Sequence, residues 1–197
     1  MINVELAYFI IVTAVAAVAL RRLNHSVTAY MLQGVIMSTI FIMIGFWPLA
    51  AITLITKVIV TPALLFFAIK STVNRETPPS FGGIGSILFM VAGIVGLFVT
   101  LSGVLSIEFI VAISLFFLGF YVLTARRDLI KNVIGFLFLE NGVLLTLVFL
   151  APHLPETIEI GIAADAIITV VVLLYVITGI HKKLQTTDTK SLVELKW

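Results

Sequence analysis

Residues 129–151 read LIKNVIGFLFLENGVLLTLVFLA, and this stretch decides the fold class. It is apolar enough to cross a bilayer as one helix, which takes about 20 residues, yet Glu140 lies at its centre. Similar runs at 4–20, 28–46, 48–70, 84–102, 106–124 and 157–181 bring the predicted spans to seven. These runs lack the alternation with a period of two that strands would show. The sequence therefore predicts an all-α, polytopic membrane helix bundle of about seven transmembrane helices.

Composition supports this class independently. Hydrophobic residues make up 61% of the 197 residues and charged residues 11%, with a mean hydropathy of +1.23. That leaves too little polar surface for a shell of water, so lipid must cover most of the outside. The absence of cysteine excludes a disulfide framework, thiolate zinc and a cysteine-ligated iron–sulfur cluster. We expect no catalytic, cofactor or metal site, and the small net charge of +2 argues against nucleic acid.

The basic residues are distributed very unevenly between the two sides of the predicted bundle. All except Lys57 fall on the side of the first, third and fifth loops and the C-terminus: Arg21, Arg22, Lys70, Arg75, Arg126, Arg127, Lys131, Lys182, Lys183, Lys190 and Lys196. The opposite side carries Glu5, Glu156 and Glu159. By the positive-inside rule the basic side is cytoplasmic. The sequence thus predicts a cell-membrane protein with its N-terminus outside and its C-terminus in the cytoplasm.

Turn residues and a repeated arginine pair suggest how the bundle is organised. Trp47-Pro48 separates the second span from the third, and residues 77–83 (TPPSFGG) make the longest loop. The pair Arg21-Arg22 recurs as Arg126-Arg127, which suggests parallel repeats of helices 1–3 and 5–7. We therefore predict a three-helix unit over 1–76, a loop and connector helix over 77–105, and a second three-helix unit with a tail over 106–197.

Three ionisable residues fall in the middle of the predicted spans, away from the helix ends: Lys57, Glu140 and Asp165. At about 1.5 Å per residue, they lie roughly 20, 15 and 24 Å from the cytoplasmic helix ends. A charge at the bilayer centre costs about 2.5–3.5 kcal/mol on insertion scales, so the default interpretation is a proton or ion pathway. A lysine–carboxylate couple can change its protonation state near physiological pH, as a relay requires. The structural alternative is a static ion pair that locks helices 6 and 7 together.

Two uncharged polar residues also lie within the spans. Gln33 and Asn141 can form interhelical hydrogen bonds, and packing is the favoured interpretation for both. Asn141 adjoins Glu140, but consecutive helix residues point about 100° apart, so the two side chains need not touch.

Four motifs follow one another in the C-terminal half. They are RRDLI at 126–130, GFLFLEN at 135–141, AADA at 163–166, and a tail carrying Asp188, Ser191, Glu194 and Lys196. In this order they resemble the K subunit of respiratory complex I over residues 106–197. The resemblance implies that Glu140 corresponds to the first membrane glutamate of that family. Asp165 then corresponds to the second, with Asp in place of Glu.

The additional N-terminal helices extend the resemblance to another family. A K-like unit preceded by extra helices, with TKVIVTP at 56–62, resembles the hydrogenase-4 component E family of membrane-bound hydrogenase and formate hydrogenlyase-type complexes. The resemblance implies a non-catalytic membrane-arm subunit beside antiporter-like subunits, with hydrogenase or other redox subunits on the cytoplasmic side. Its task would be proton or sodium translocation, with Lys57 modulating or continuing the path. The alternatives are a subunit of a multisubunit cation/proton antiporter and a structural membrane anchor of the same complex.

Overall fold

A computed structural model describes residues 4–72, 83–151, 156–184 and 186–189, which form seven helical rods. The helices are α1 (Val4–Ala19), α2 (Leu23–Met43), α3 (Trp47–Lys70), α4 (Gly83–Leu101), α5 (Ile107–Ala125), α6 (Leu129–Leu150) and α7 (Glu156–Leu184). The described residues contain no strand, only an isolated β-bridge between Asp128 and Asp188. The predicted all-α class and the seven helices are therefore confirmed.

Most of these helices are long and apolar enough to cross a membrane. Helices α2 to α6 each meet the length and hydropathy that a span requires. Helix α1 has 16 residues, so it extends about 24 Å, somewhat less than the roughly 30 Å hydrocarbon core. Local thinning of the bilayer accommodates a mismatch of this size at modest cost. The chain is a multi-pass membrane protein.

Tertiary contacts move the start of α2. The sequence predicted a span from residue 28, because Asn24, His25 and Ser26 are polar, but the helix begins at Leu23. Ser26 is fully buried and its hydroxyl donates to the Leu20 carbonyl at 3.0 Å. A polar residue that finds partners inside the protein can extend a membrane helix beyond its apolar run.

Helix α3 changes its winding in the middle. It is α-helical over Trp47–Thr53, π-helical over Leu54–Val60 and α-helical again over Thr61–Lys70. Pro62 stands just after the π-helical segment; proline lacks an N–H and its ring collides with the carbonyl four residues earlier. Wider π-type hydrogen-bonded turns therefore replace α-turns just before Pro62, and such segments are frequent at functional sites. Lys57 lies at the centre of this segment.

Glycines allow α5 and α6 to approach each other closely. A Cβ on Gly119 would lie 2.7 Å from the Gly135 carbonyl oxygen, and one on Gly142 would lie 3.0 Å from that of Ala112. Small residues allow membrane helices to approach backbone to backbone, where van der Waals packing drives association. The position of α6, and therefore of Glu140, is set by this contact.

Lys131 ties α1 to the beginning of α6. The sequence analysis assigned it to a cytoplasmic loop, but it is fully buried in the first turn of α6. Its ammonium donates to the carbonyls of Ala17, Val18 and Leu20 at 2.6, 3.1 and 2.7 Å, and to the Ser26 hydroxyl at 2.8 Å. The last carbonyls of a helix lack partners within the helix, and a cation there also complements the helix dipole.

The beginning of α6 is also joined to the chain after α7. Asp128 caps α6 by accepting from the backbone N–H of Ile130 at 2.9 Å. Its other carboxylate oxygen accepts from the Thr187 hydroxyl at 3.2 Å, and the Leu129 N–H donates to the Thr187 carbonyl at 3.1 Å. Residues 186–189 thus dock onto the segment that precedes α6.

Some predictions stay predictions. The division into units 1–76, 77–105 and 106–197, the parallel repeats and the orientation of the termini belong to this group. Residues 77–82 of the predicted loop, and the tail beyond 189, lie outside the described residues.

Candidate functional site

Lys57 of α3 and Glu140 of α6 meet inside the bundle. The Lys57 ammonium forms an ion pair with Glu140 Oε1 and donates to Asn141 Oδ1 at 2.6 Å. The side chains of Lys57 and Glu140 are only 4% and 11% exposed. The structure therefore brings together two of the three ionisable residues that the sequence identified.

The close approach of α2 encloses this pair from one side. A Cβ on Gly34 would lie 3.1 Å from the Lys57 Cβ and 3.2 Å from Val58 Cγ2. A larger residue at position 34 would push α2 away from the π-helical segment that carries Lys57. Gly34 thus helps to keep Lys57 in place.

Asn141 is part of the site, although the sequence analysis favoured packing for it. Neighbouring side chains on a helix do diverge, but this does not prevent both from binding the same third residue. Glu140 and Asn141 do not need to touch, because both reach the same ammonium of Lys57. An adjacent carboxylate and amide in an apolar helix, with a lysine in another apolar run, is the sequence signal that could have revealed this arrangement.

The pair can hold one proton in two ways. It is either an ammonium beside a carboxylate or an amine beside a carboxylic acid, and both forms are neutral overall. Separating the ionised partners would leave a buried charge uncompensated, at a cost of about 3–5 kcal/mol. Glu140 Oε2 is buried and has no hydrogen-bond partner within the described part of the chain. One oxygen of the carboxylate is thus available to another proton carrier.

Asp165 stands apart from this pair. It is exposed on α7, and among the described residues no ion pair joins it to Lys57 or Glu140. Helix α7 packs against α3 and α6, and its buried residues are Val170, Leu174 and Ile177. The static alternative placed the ion pair between helices 6 and 7. The observed pair instead joins α3 to α6.

No group of three histidine, aspartate or glutamate residues that could hold a metal occurs among the described residues. An amine and a carboxyl group in direct contact are the types of group that general acid–base chemistry uses.

A buried ion pair among membrane-spanning helices defines a class of protein, the multi-pass membrane proteins with an internal ionisable site. Residues 107–197 match the family described as NADH-ubiquinone/plastoquinone oxidoreductase chain 4L. Over its full length the chain is similar to Hydrogenase-4 component E of Escherichia coli strain K12, Escherichia coli O157:H7 and Shigella flexneri. Each is 27% identical over 213 aligned positions, which cover 100% of this chain and 98% of the relative.

No solved structure matches the chain significantly. Both resemblances predicted from the sequence are confirmed, the C-terminal one by the chain 4L match and the full-length one by the Hydrogenase-4 relatives.

Proposed function

We propose that this chain is a membrane-arm subunit of a complex I-related membrane-bound hydrogenase or formate hydrogenlyase-type complex. Its buried charges would contribute to the translocation of protons, or of sodium ions, coupled to redox chemistry in other subunits. The observation that carries the proposal is the buried Lys57–Glu140 pair. The similarity to Hydrogenase-4 component E supports the type of complex, and the chain 4L match supports the relation to complex I.

The pair couples helix movement to proton binding. If redox events in a neighbouring subunit shift α3 relative to α6, Lys57 and Glu140 separate and each charge loses its partner. An unpaired buried charge costs about 3–5 kcal/mol, so proton uptake by Glu140 removes the cost of its carboxylate, and proton loss from Lys57 removes the cost of its ammonium. Return of the helices reverses the change. The π-helical segment around Lys57 is a suitable place for such a shift, because its hydrogen-bond pattern has a neighbouring α-helical alternative.

Asp165 is proposed as the relay position that faces a neighbouring subunit. Ionisable side chains at membrane depth almost always face protein or a water-filled cavity, so an exposed Asp165 calls for a second chain to cover it. Ile168, Val172 and Tyr175 follow it along the same stripe of α7 and are 61%, 53% and 79% exposed. An antiporter-like subunit would cover this stripe, and the redox subunits would contact the cytoplasmic end of the bundle.

Proton pumping by the whole complex in membrane vesicles tests the proposal. Glu140→Gln keeps the shape of the side chain and still accepts a hydrogen bond from Lys57, but it cannot bind and release a proton. We expect this variant, and Asp165→Asn, to assemble and retain redox activity while pumping is lost. Glu5→Gln is the matched control, because Glu5 is an exposed carboxylate in the first turn of α1.

The rival functions predict different results. Unchanged pumping in both variants, with the complex intact, would favour a structural membrane anchor whose pair only joins α3 to α6. Purification of the chain with antiporter-like subunits but without hydrogenase or other redox subunits would favour a multisubunit cation/proton antiporter.

A further inference from the structure

Buried polar side chains of α2 and α6 lie in the same part of the bundle as the Lys57–Glu140 pair. Tyr30 and Gln33 of α2 are fully buried, as is Asn141. Tyr30 Oη, both polar atoms of the Gln33 amide, Glu140 Oε2 and Asn141 Nδ2 have no hydrogen-bond partner among the described residues. Each unsatisfied buried polar atom costs about 1–3 kcal/mol. Such atoms are few in native proteins, so a group of them in one region requires an explanation.

Contacts of α2 place the side chains of Tyr30 and Gln33 in the region where α2 meets α3 and α6. Tyr30 packs against Phe138 of α6, with ring centroids 6.3 Å apart, and Phe138 stands two residues before Glu140 in the chain. Gly34, one turn further along α2, contacts Lys57 of α3. Gln33 lies on the same buried face, between these two contacts.

We infer that this region is a binding site for water, held by Tyr30, Gln33, Glu140 and Asn141. A buried water makes about three hydrogen bonds to otherwise unsatisfied groups, so about two waters suit the number of atoms. The atoms also offer the mixture that water needs. The hydroxyl of Tyr30 and the amide of Gln33 both donate and accept, Glu140 Oε2 accepts, and Asn141 Nδ2 donates.

Other occupants fit this region less well. Tyr30, Gln33 and Asn141 are each 0% exposed, so a lipid chain has no access to their polar atoms. A bound cation would compete with the Lys57 ammonium, which already neutralises Glu140. A small neutral molecule that both donates and accepts remains.

The inference deepens the proposed function and rests on it for its meaning, since water beside Glu140 Oε2 would carry protons between the pair and α2. It adds Tyr30 and Gln33 to the proposed proton path through Lys57 and Glu140. For Gln33, the sequence had favoured a role in packing.

X-ray radiolytic labelling of the intact complex tests the site directly. Irradiation turns bound water into hydroxyl radicals, which oxidise the side chains beside it, and mass spectrometry locates the oxidised residues. We expect Tyr30 and Phe138 to be oxidised in spite of their burial, with ¹⁸O incorporated after exchange into H₂¹⁸O. Phe41, equally buried on α2, is the internal control and should stay unlabelled.

Variants then assign the water to its partners. Gln33→Leu should reduce the labelling of Tyr30 to the level of Phe41. Thr39→Val should not change it, because the Thr39 hydroxyl faces outward and bonds the Val35 carbonyl of its own helix.

The inference is overturned if Tyr30 and Phe138 of the unmodified protein are labelled no more than Phe41, or if Gln33→Leu leaves their labelling unchanged. Labelling does not depend on pumping. A hydrated site with normal pumping in Glu140→Gln would refute the proposed function alone. A dry site with pumping lost in that variant would refute the water site alone.

Discussion

Replacing Lys57 with methionine measures what the buried pair contributes to stability. Methionine fills similar space without a charge, so the main change is electrostatic. Glu140 Oε1 and Asn141 Oδ1 would both lose their donor, in a place where the Glu140 side chain is only 11% exposed. Removing one partner of a buried ion pair destabilises a protein by about 3–5 kcal/mol, and we expect Lys57→Met to fall in this range.

The double variant Lys57→Met/Glu140→Leu distinguishes the electrostatic contribution of the two charges from the packing contribution of their side chains. Replacing both charges with apolar side chains of similar volume is close to neutral in other proteins, because the desolvation cost disappears with the charges. We expect the double variant to recover most of the lost stability. Its free energy of unfolding should exceed the additive value by more than about 2 kcal/mol.

The assay is unfolding of the purified protein in mixed micelles by a denaturing detergent, followed by circular dichroism. Thr146→Val on α6 is the control, because its hydroxyl bonds the Gly142 carbonyl of its own helix at 2.8 Å. It should change stability by less than about 1 kcal/mol. A Lys57→Met cost no larger than that of the control, or an additive double variant, would show that the two charges do not interact as described.

Three further perturbations test the framework around the site. Lys131→Met leaves buried carbonyls without a donor, so it should destabilise the protein by about 3 kcal/mol. Amide exchange should become faster where α1 joins α2, and an unchanged exchange rate would contradict this expectation. Gly119→Ala should lower the free energy of unfolding by about 1–3 kcal/mol, because the added methyl group forces α5 away from α6. In the control Gly96→Ala the added Cβ has no neighbour within 4 Å, so stability should not change. Equal melting temperatures of the two variants would refute the contact. Asp128→Ala should lower the free energy of unfolding by about 1 kcal/mol, because it removes the cap of α6. It also removes the hydrogen bond to Thr187, so proteases should cleave the chain near Thr187 faster. An unchanged cleavage rate would mean that other contacts hold this segment.

The fold was largely predictable because hydropathy is a property of short segments. The seven runs match the seven helices, since about 20 apolar residues in lipid have no alternative that satisfies their backbone. Departures occurred where a polar residue found a partner in another helix. Ser26 extends α2 toward its N-terminus, and Lys131 lies inside the bundle rather than in a loop.

The candidate site was only partly predictable. Lys57 and Glu140 stood out because charged residues are rare inside membrane spans, and each was identified without its partner. Which charges meet depends on the rotation of each helix about its axis, and a run of apolar residues does not specify that rotation. The π-helical segment before Pro62 and the glycines of α5 and α6 set it here.

The sequence by itself determined that the chain crosses the membrane as helices and that Lys57, Glu140 and Asp165 fall within its apolar runs. Length and hydropathy along the chain are enough for both conclusions. Only the tertiary structure decided that Lys57 binds Glu140 and Asn141, that Asp165 faces outward, and that Tyr30 and Gln33 are fully buried. The physical reason is that burying a charge is a local cost, whereas its compensation comes from residues distant in the chain that only packing brings close.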